Sequence, residues 1–292
     1  MKKESAQTDS FSIIIDFPAL FIVYLLYVQR RKFMKEFFGI GGYTRTPEGA
    51  WSWQHITMVS FYMLVMIGLA IFLGLRNKNK DLKTKNKVLI WSAILIDGFE
   101  LIKFIVIAIQ DVKGLRLVLP LFLCSIQLIT IPLAAFTKGR LKEICLDFVL
   151  VFGILGGVLG TVGATQNYNA YPVLGWDNIV SGITHSISGF ASLYIIIAKM
   201  QSMKPINALW VFAIMFIFAV LAYIANVLID YNYMFLMRGD GTPYDIIYNL
   251  VNGNKVLYPT IVVSLFAVYI AVYYGVYYLI VNRKQIFAKK QK

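Results

Sequence analysis

The chain has 292 residues, of which 59% are hydrophobic and only 15% charged, and its mean hydropathy of +0.68 excludes an ordinary water-soluble domain. Its net charge of +13 does not point to nucleic acid, because Lys and Arg fall between and after the apolar runs instead of forming one patch interleaved with aromatic residues. Seven continuous apolar stretches approach or exceed the roughly 20 residues that a helix needs to cross a bilayer, which predicts an all-α, polytopic transmembrane bundle of seven core helices and not a β-barrel.

Residues 1–47 read as an N-terminal arm. Its apolar stretch 17–28 is short for a span, has Asp16 and Pro18 at its start and is followed at once by Arg30, Arg31, Lys32 and Lys35. Whether this membrane-associated segment crosses or lies in the interface stays open from the pattern. No small-x-small cleavage site follows it, which argues against a removed signal peptide.

The integral domain is expected over residues 48–282, with core helices at 56–75, 87–109, 115–136, 143–163, 178–199, 207–230 and 257–281. His55 stands at the mouth of the first, beside Trp51 and Trp53, where an interfacial belt residue is the bland alternative to a ligand. The second carries Glu100, which either serves a site or pairs with Lys103 at i, i+3. Cys124 lies within the third and His185 within the fifth. A thiol and an imidazole in hydrocarbon are costly enough to be functional hypotheses, although a buried Cys is often structural and a membrane His often only bonds a neighbouring helix.

The fourth stretch carries Gly153, Gly156, Gly157, Gly160 and Gly163, overlapping small-xxx-small spacings that read first as a close helix-packing face. Asn226 and Asp230 close the sixth, and Asn232 follows. Two longer polar connections, 164–177 and 231–256, have the Asn, Tyr, Asp, Gly and Pro content of ordered loops over a site and are candidate lids. Residues 283–292 form a basic tail. Counted from the loop after the first core helix, sixteen Lys and Arg fall on the side of the tail and four on the other, which predicts a cytoplasmic C-terminus in a multi-pass cell-membrane protein, although Arg30, Arg31, Lys32 and Lys35 before that helix go against the tendency.

Topology converts these positions into depths. At about 1.5 Å per residue, Cys124 lies roughly 13 Å below Leu115 and His185 roughly 10 Å below Asn178, while Glu100 lies roughly 13 Å below Ile109 and Asn226 roughly 8 Å below Tyr231. The expected site is therefore a polar layer in the outer half of the bundle. Its catalytic members are Cys124 as nucleophile, His185 as base and Glu100 as the group orienting the imidazole; His55, Asn226, Asn232 and Asp230 are expected to bind substrate. No spacing pattern puts two metal ligands on one helix turn, and the chemistry needs no soluble cofactor.

The segment LPLFLCSIQ at 119–127, followed by a His 61 residues after its Cys, resembles the core of the YwaF-like bacterial integral membrane proteins. It also resembles their animal relatives, multispanning acyltransferases that place polyunsaturated acyl chains on ether phosphatidylethanolamine. His55, Glu100 and NYMFL at 232–236 add to the likeness, which covers most of residues 50–282. The resemblance implies that Cys124 accepts the acyl group with His185 as its partner. Bacterial members commonly have a polar residue two places before the Cys, where this chain has Phe122. The expected function is thus a membrane-embedded acyltransferase or acyl hydrolase acting on phospholipid or lysophospholipid through a thioester. The rival readings are a non-catalytic transporter or lipid-binding protein, and a scaffold with a packed polar layer.

Overall fold

Helix boundaries follow local chemistry. Ser52 accepts the His55 backbone N–H and opens α2 (Trp53–Asn77); Asp81 accepts the Thr84 N–H and opens α3 (Leu82–Gln110). The computed structural model describes residues 17–200 and 203–289, and every regular element among them is helical. The N-terminal helix is α1 (Phe17–Phe37); after α3 come α4 (Gln127–Phe136), α5 (Gly139–Val162), a short α6 (Thr165–Ala170), α7 (Trp176–Ile197), α8 (Pro205–Ile229), a short α9 (Tyr244–Leu250) and α10 (Leu257–Lys289). Three 3-10 turns, Val112–Leu117, Leu123–Ile126 and Tyr233–Phe235, interrupt the connections.

Among the described residues five stretches are long and apolar enough to cross a membrane: Trp53–Asn77, Gly139–Ala170, Trp176–Ile197, Pro205–Ile229 and Leu257–Val281. Large apolar side chains such as Leu64, Leu228 and Leu279 point outward from α2, α8 and α10, an exterior suited to lipid and not to water. The molecule is therefore an all-α multi-pass bundle. The long helix α3 has the required length but carries Asp97, Glu100 and Lys103 in its second half.

The third expected helix, 115–136, is not continuous. Pro120 supplies no N–H and disfavours a helical Leu119, so the chain descends as a 3-10 turn and an extended piece before a half-length helix begins at Leu123. The depth assigned to Cys124 from continuous helical rise is accordingly replaced: the thiol sits on the first turn of this half-helix. The freed backbone groups are met from a neighbouring segment. The Tyr233 hydroxyl accepts from the Leu119 N–H at 3.0 Å and donates to the Arg116 carbonyl at 2.7 Å.

The pairing of α5 with α7 is the most extensive in the bundle. A Cβ at Gly157 would stand 2.7 Å from the Gly189 Cα, and one at Gly153 would stand 2.7 Å from the Ser188 carbonyl oxygen, so both glycines are required by close backbone approach. The two helices run antiparallel, since positions ascending in α5 meet positions descending in α7. The basic segment after residue 282 continues as helix to Lys289, and residues 290–292 and 1–16 lie outside the described residues.

Candidate functional site

The break before Cys124 opens a cavity of about 550 Å³, within the range of small-molecule sites. Each wall has a periodic origin. Ile96, Glu100, Lys103 and Ile107 form one face of α3, spaced as a helix face requires. From α7 come Asp177, Ser181, Thr184, His185 and Ser188, a polar stripe down one face of an otherwise apolar helix. Apolar lining comes from Leu119, Phe122 and Leu128 of the broken segment and from Met234 and Phe235 beyond α8. Residues from both long connections, Gln166 and Asn167 in one and Thr242 and Tyr244 in the other, complete the wall at the end where α7 begins. Gln166 donates to the Asp240 carbonyl and ties these two connections together.

Cys124, His185 and Glu100 all line this cavity. The glycines of α5 make that convergence sterically feasible. A Cβ on Gly160 would overlap the His185 ring, whereas one on Gly156, a turn earlier, would rest 3.8 Å from the Cys124 Cβ. The imidazole is in polar contact with the Gly156 backbone carbonyl. Cys124 is partly accessible, makes a side-chain hydrogen bond with Ser125, and is a free thiol, as is Cys145. It also stands at the positive end of the half-helix dipole.

Glu100 forms an ion pair with Lys103, the arrangement that the i, i+3 spacing offered as the alternative to orienting His185. The Lys103 ammonium lies within Coulombic reach of both Cys124 and His185. Lys103 and the α7 hydroxyls are among the lining residues to which the sequence pattern assigned no site role. The signal on α7 was the 4, 3, 4 spacing of the polar positions 177, 181, 184 and 188, which marks a single face but not what that face looks onto.

The four residues expected to bind substrate are not among those lining the cavity. His55 is buried in the first turn of α2, where its Nδ1 accepts from the Trp51 N–H at 2.9 Å and its ring lies 4.0 Å from that of Tyr168. Asn226 clamps the chain after α8, accepting from the Tyr233 N–H at 2.6 Å and donating to the Tyr233 carbonyl at 3.0 Å. Asn232 spends its amide on Arg238, Met237 and Asp240. Asp230 takes a left-handed conformation, φ 52°, and ends α8. These side chains shape the wall from behind: the clamped segment carries Met234 and Phe235, both at φ 55°, which is strained for residues with a side chain.

The last residue of α1 and the segment between α1 and α2 strap the start of α7. Phe37 and Phe38 pack on Trp176, and the Tyr43 hydroxyl donates to Asp177 at 2.6 Å. Glu48 accepts from the Val173 N–H at 2.8 Å. Burial, reinforced by the Asp177 carboxylate, raises the Tyr43 phenol above its ordinary range.

No curated protein and no solved structure matches the chain. The model of the TMEM164 family, a family of membrane proteins, matches residues 50–277, a span that includes the cavity-lining residues from α3 to α10. On that coverage the chain belongs to the TMEM164 family.

Proposed function

We propose that the cavity transfers acyl groups between membrane lipids, with Cys124 as nucleophile and His185 as general base. The observation that carries this reading is the approach of both side chains to one glycine face of α5, at Gly156 and Gly160, from two different elements along one cavity wall. His185 takes the thiol proton as sulfur attacks the ester carbonyl of an acyl lipid; the carbon–oxygen bond breaks and the leaving alkoxide, a lysolipid, takes that proton. The acceptor hydroxyl then attacks the thioester, His185 takes its proton, and the thiolate leaves and is reprotonated. Water in place of the acceptor makes the same site a hydrolase. The apolar side at Leu119, Phe122 and Leu128 suits the acyl chain, and the stripe on α7 suits the polar parts of donor and acceptor. The likeness to acyltransferases at residues 119–127 supports the same assignment.

The charge bias of the connections supports a cytoplasmic C-terminus in the cell membrane, with the cavity in the outer half of the bundle. Incubating the purified protein with an acyl-lipid probe and isolating a hydroxylamine-sensitive adduct on Cys124 tests the chemistry. Cys124→Ala should abolish the adduct and the transfer, His185→Ala should slow it by about 100- to 10,000-fold, and Cys145→Ala should leave it unchanged. A second reading, a lipid- or solute-binding protein without catalysis, is favoured by the discontinuous segment 112–126, since broken helices recur at transport sites. Absence of the adduct with every lipid donor, together with full complementation of a deletion strain by Cys124→Ala, would overturn the acyl-transfer reading and leave the binding or scaffold reading in its place.

A further inference from the structure

Among the described residues, Lys103 is the one Lys or Arg that lines the cavity. Its ammonium is held by Glu100, and the two side chains are only 20% and 9% exposed. Two charges at membrane depth lose most of their hydration, and well-packed apolar side chains would serve stability as well or better. This pair lines the cavity together with the apolar segment at Phe122 and the polar stripe at Ser181 and Thr184. A ligand that fills such a space is amphiphilic, and the group that matches a compact, strongly hydrated cation is an anion.

We propose that Lys103 is a specificity-determining residue that binds the phosphate group of an amphiphilic lipid, and that Glu100 is its exchangeable counter-ion. With Glu100 as partner the Lys103 ammonium is neutralised, and Asp177 is a second carboxylate on the lining; when phosphate arrives, the ammonium turns from Glu100 to it. The identity of the ligand as a lipid rests on the acyl-transfer reading, but the binding step needs no chemistry at Cys124.

The opposite signs expected of the two neighbours separate this role from a structural one. In the Cys124→Ala protein in detergent micelles, binding of a lysophospholipid is compared with that of a monoacylglycerol carrying the same chain and with inorganic phosphate. The lysophospholipid should bind more tightly than the neutral lipid, and inorganic phosphate should not displace it at equal concentration. Lys103→Gln should remove that preference, a loss of roughly 10- to 100-fold corresponding to one charge-assisted hydrogen bond. Lys103→Arg should retain it, and Glu100→Gln should strengthen it. The double variant Glu100→Gln with Lys103→Gln carries neither charge of the pair; it should fold and bind both lipids alike. An unchanged phosphate preference in the double variant, or weaker binding in Glu100→Gln, overturns the proposal. A protein that keeps the Lys103-dependent preference yet never acylates Cys124 loses only the acyl-transfer reading, and one that acylates Cys124 equally from neutral and phosphate-bearing donors loses only this one.

Discussion

Adding the same methyl group one helical turn apart on α5 should have opposite consequences. In Gly156→Ala the new Cβ lies 3.8 Å from the Cys124 Cβ, an ordinary contact. The exchange then keeps the helix-propensity gain of about 0.8–1 kcal/mol. In Gly160→Ala the new Cβ falls on the His185 ring, with the Cγ atom 2.6 Å away. A ring edge cannot fold aside as a flexible chain end does, so the imidazole must turn or α5 and α7 must part. Overpacking of this kind costs about 1–3 kcal/mol, which leaves a net loss of about 0–2 kcal/mol after the propensity gain. The functional effect should be larger than the stability effect, because displacing a reacting group by about 1 Å costs on the order of 100-fold in rate. Thermal unfolding of the purified proteins, together with the rate of acyl-probe labelling of Cys124 in a Cys145→Ala background, measures both. Gly156→Ala should unfold no earlier than the parent and label within a few-fold of its rate. A Gly160→Ala protein that labels at the parental rate, or a Gly156→Ala protein that is the more damaged of the two, would refute the placement of His185 against α5.

Three further outcomes can be measured. Asn226→Ala leaves the buried Tyr233 N–H and carbonyl without their clamp and should cost about 1–3 kcal/mol in thermal or denaturant unfolding, whereas a loss below about 0.5 kcal/mol would show that the strained turn needs no clamp. Because the folded Tyr43 phenol binds its proton more tightly than a free tyrosine, the strap's contribution is fully present at neutral pH and is lost as pH rises above about 10. Protease cutting within residues 38–52 should therefore accelerate progressively as pH rises above about 10 in the parent, while Tyr43→Phe should be cut faster already at neutral pH and lack that pH dependence. Finally, a cysteine introduced at Gln291 in a Cys-free protein should resist a membrane-impermeant thiol reagent in intact cells; labelling there would invert the orientation.

The all-helical, multi-pass character is legible in the sequence because transfer into hydrocarbon is governed by local composition, and runs such as 207–230 and 257–281 carry it residue by residue. Helix starts at Ser52 and Asp81 are equally local, each set by one side chain over one turn. The polar residues Glu100, Cys124 and His185 stand out for the same reason, as exceptions within apolar runs. Tertiary structure decided which polar groups share a space. The proline that breaks the third helix is plain in the sequence, but that Tyr233, far along the chain, meets the Leu119 N–H and the Arg116 carbonyl beside the break is not. Asn226 and Asn232 are at a suitable level for the site yet turn to backbone partners, and His55 turns to Tyr168. Level along the membrane normal follows from counting residues, whereas the direction a side chain faces depends on the rotation of each helix against its neighbours. In this bundle that rotation is fixed by the contact of Gly157 with Gly189, a pairing between residues of separate helices that no local pattern encodes.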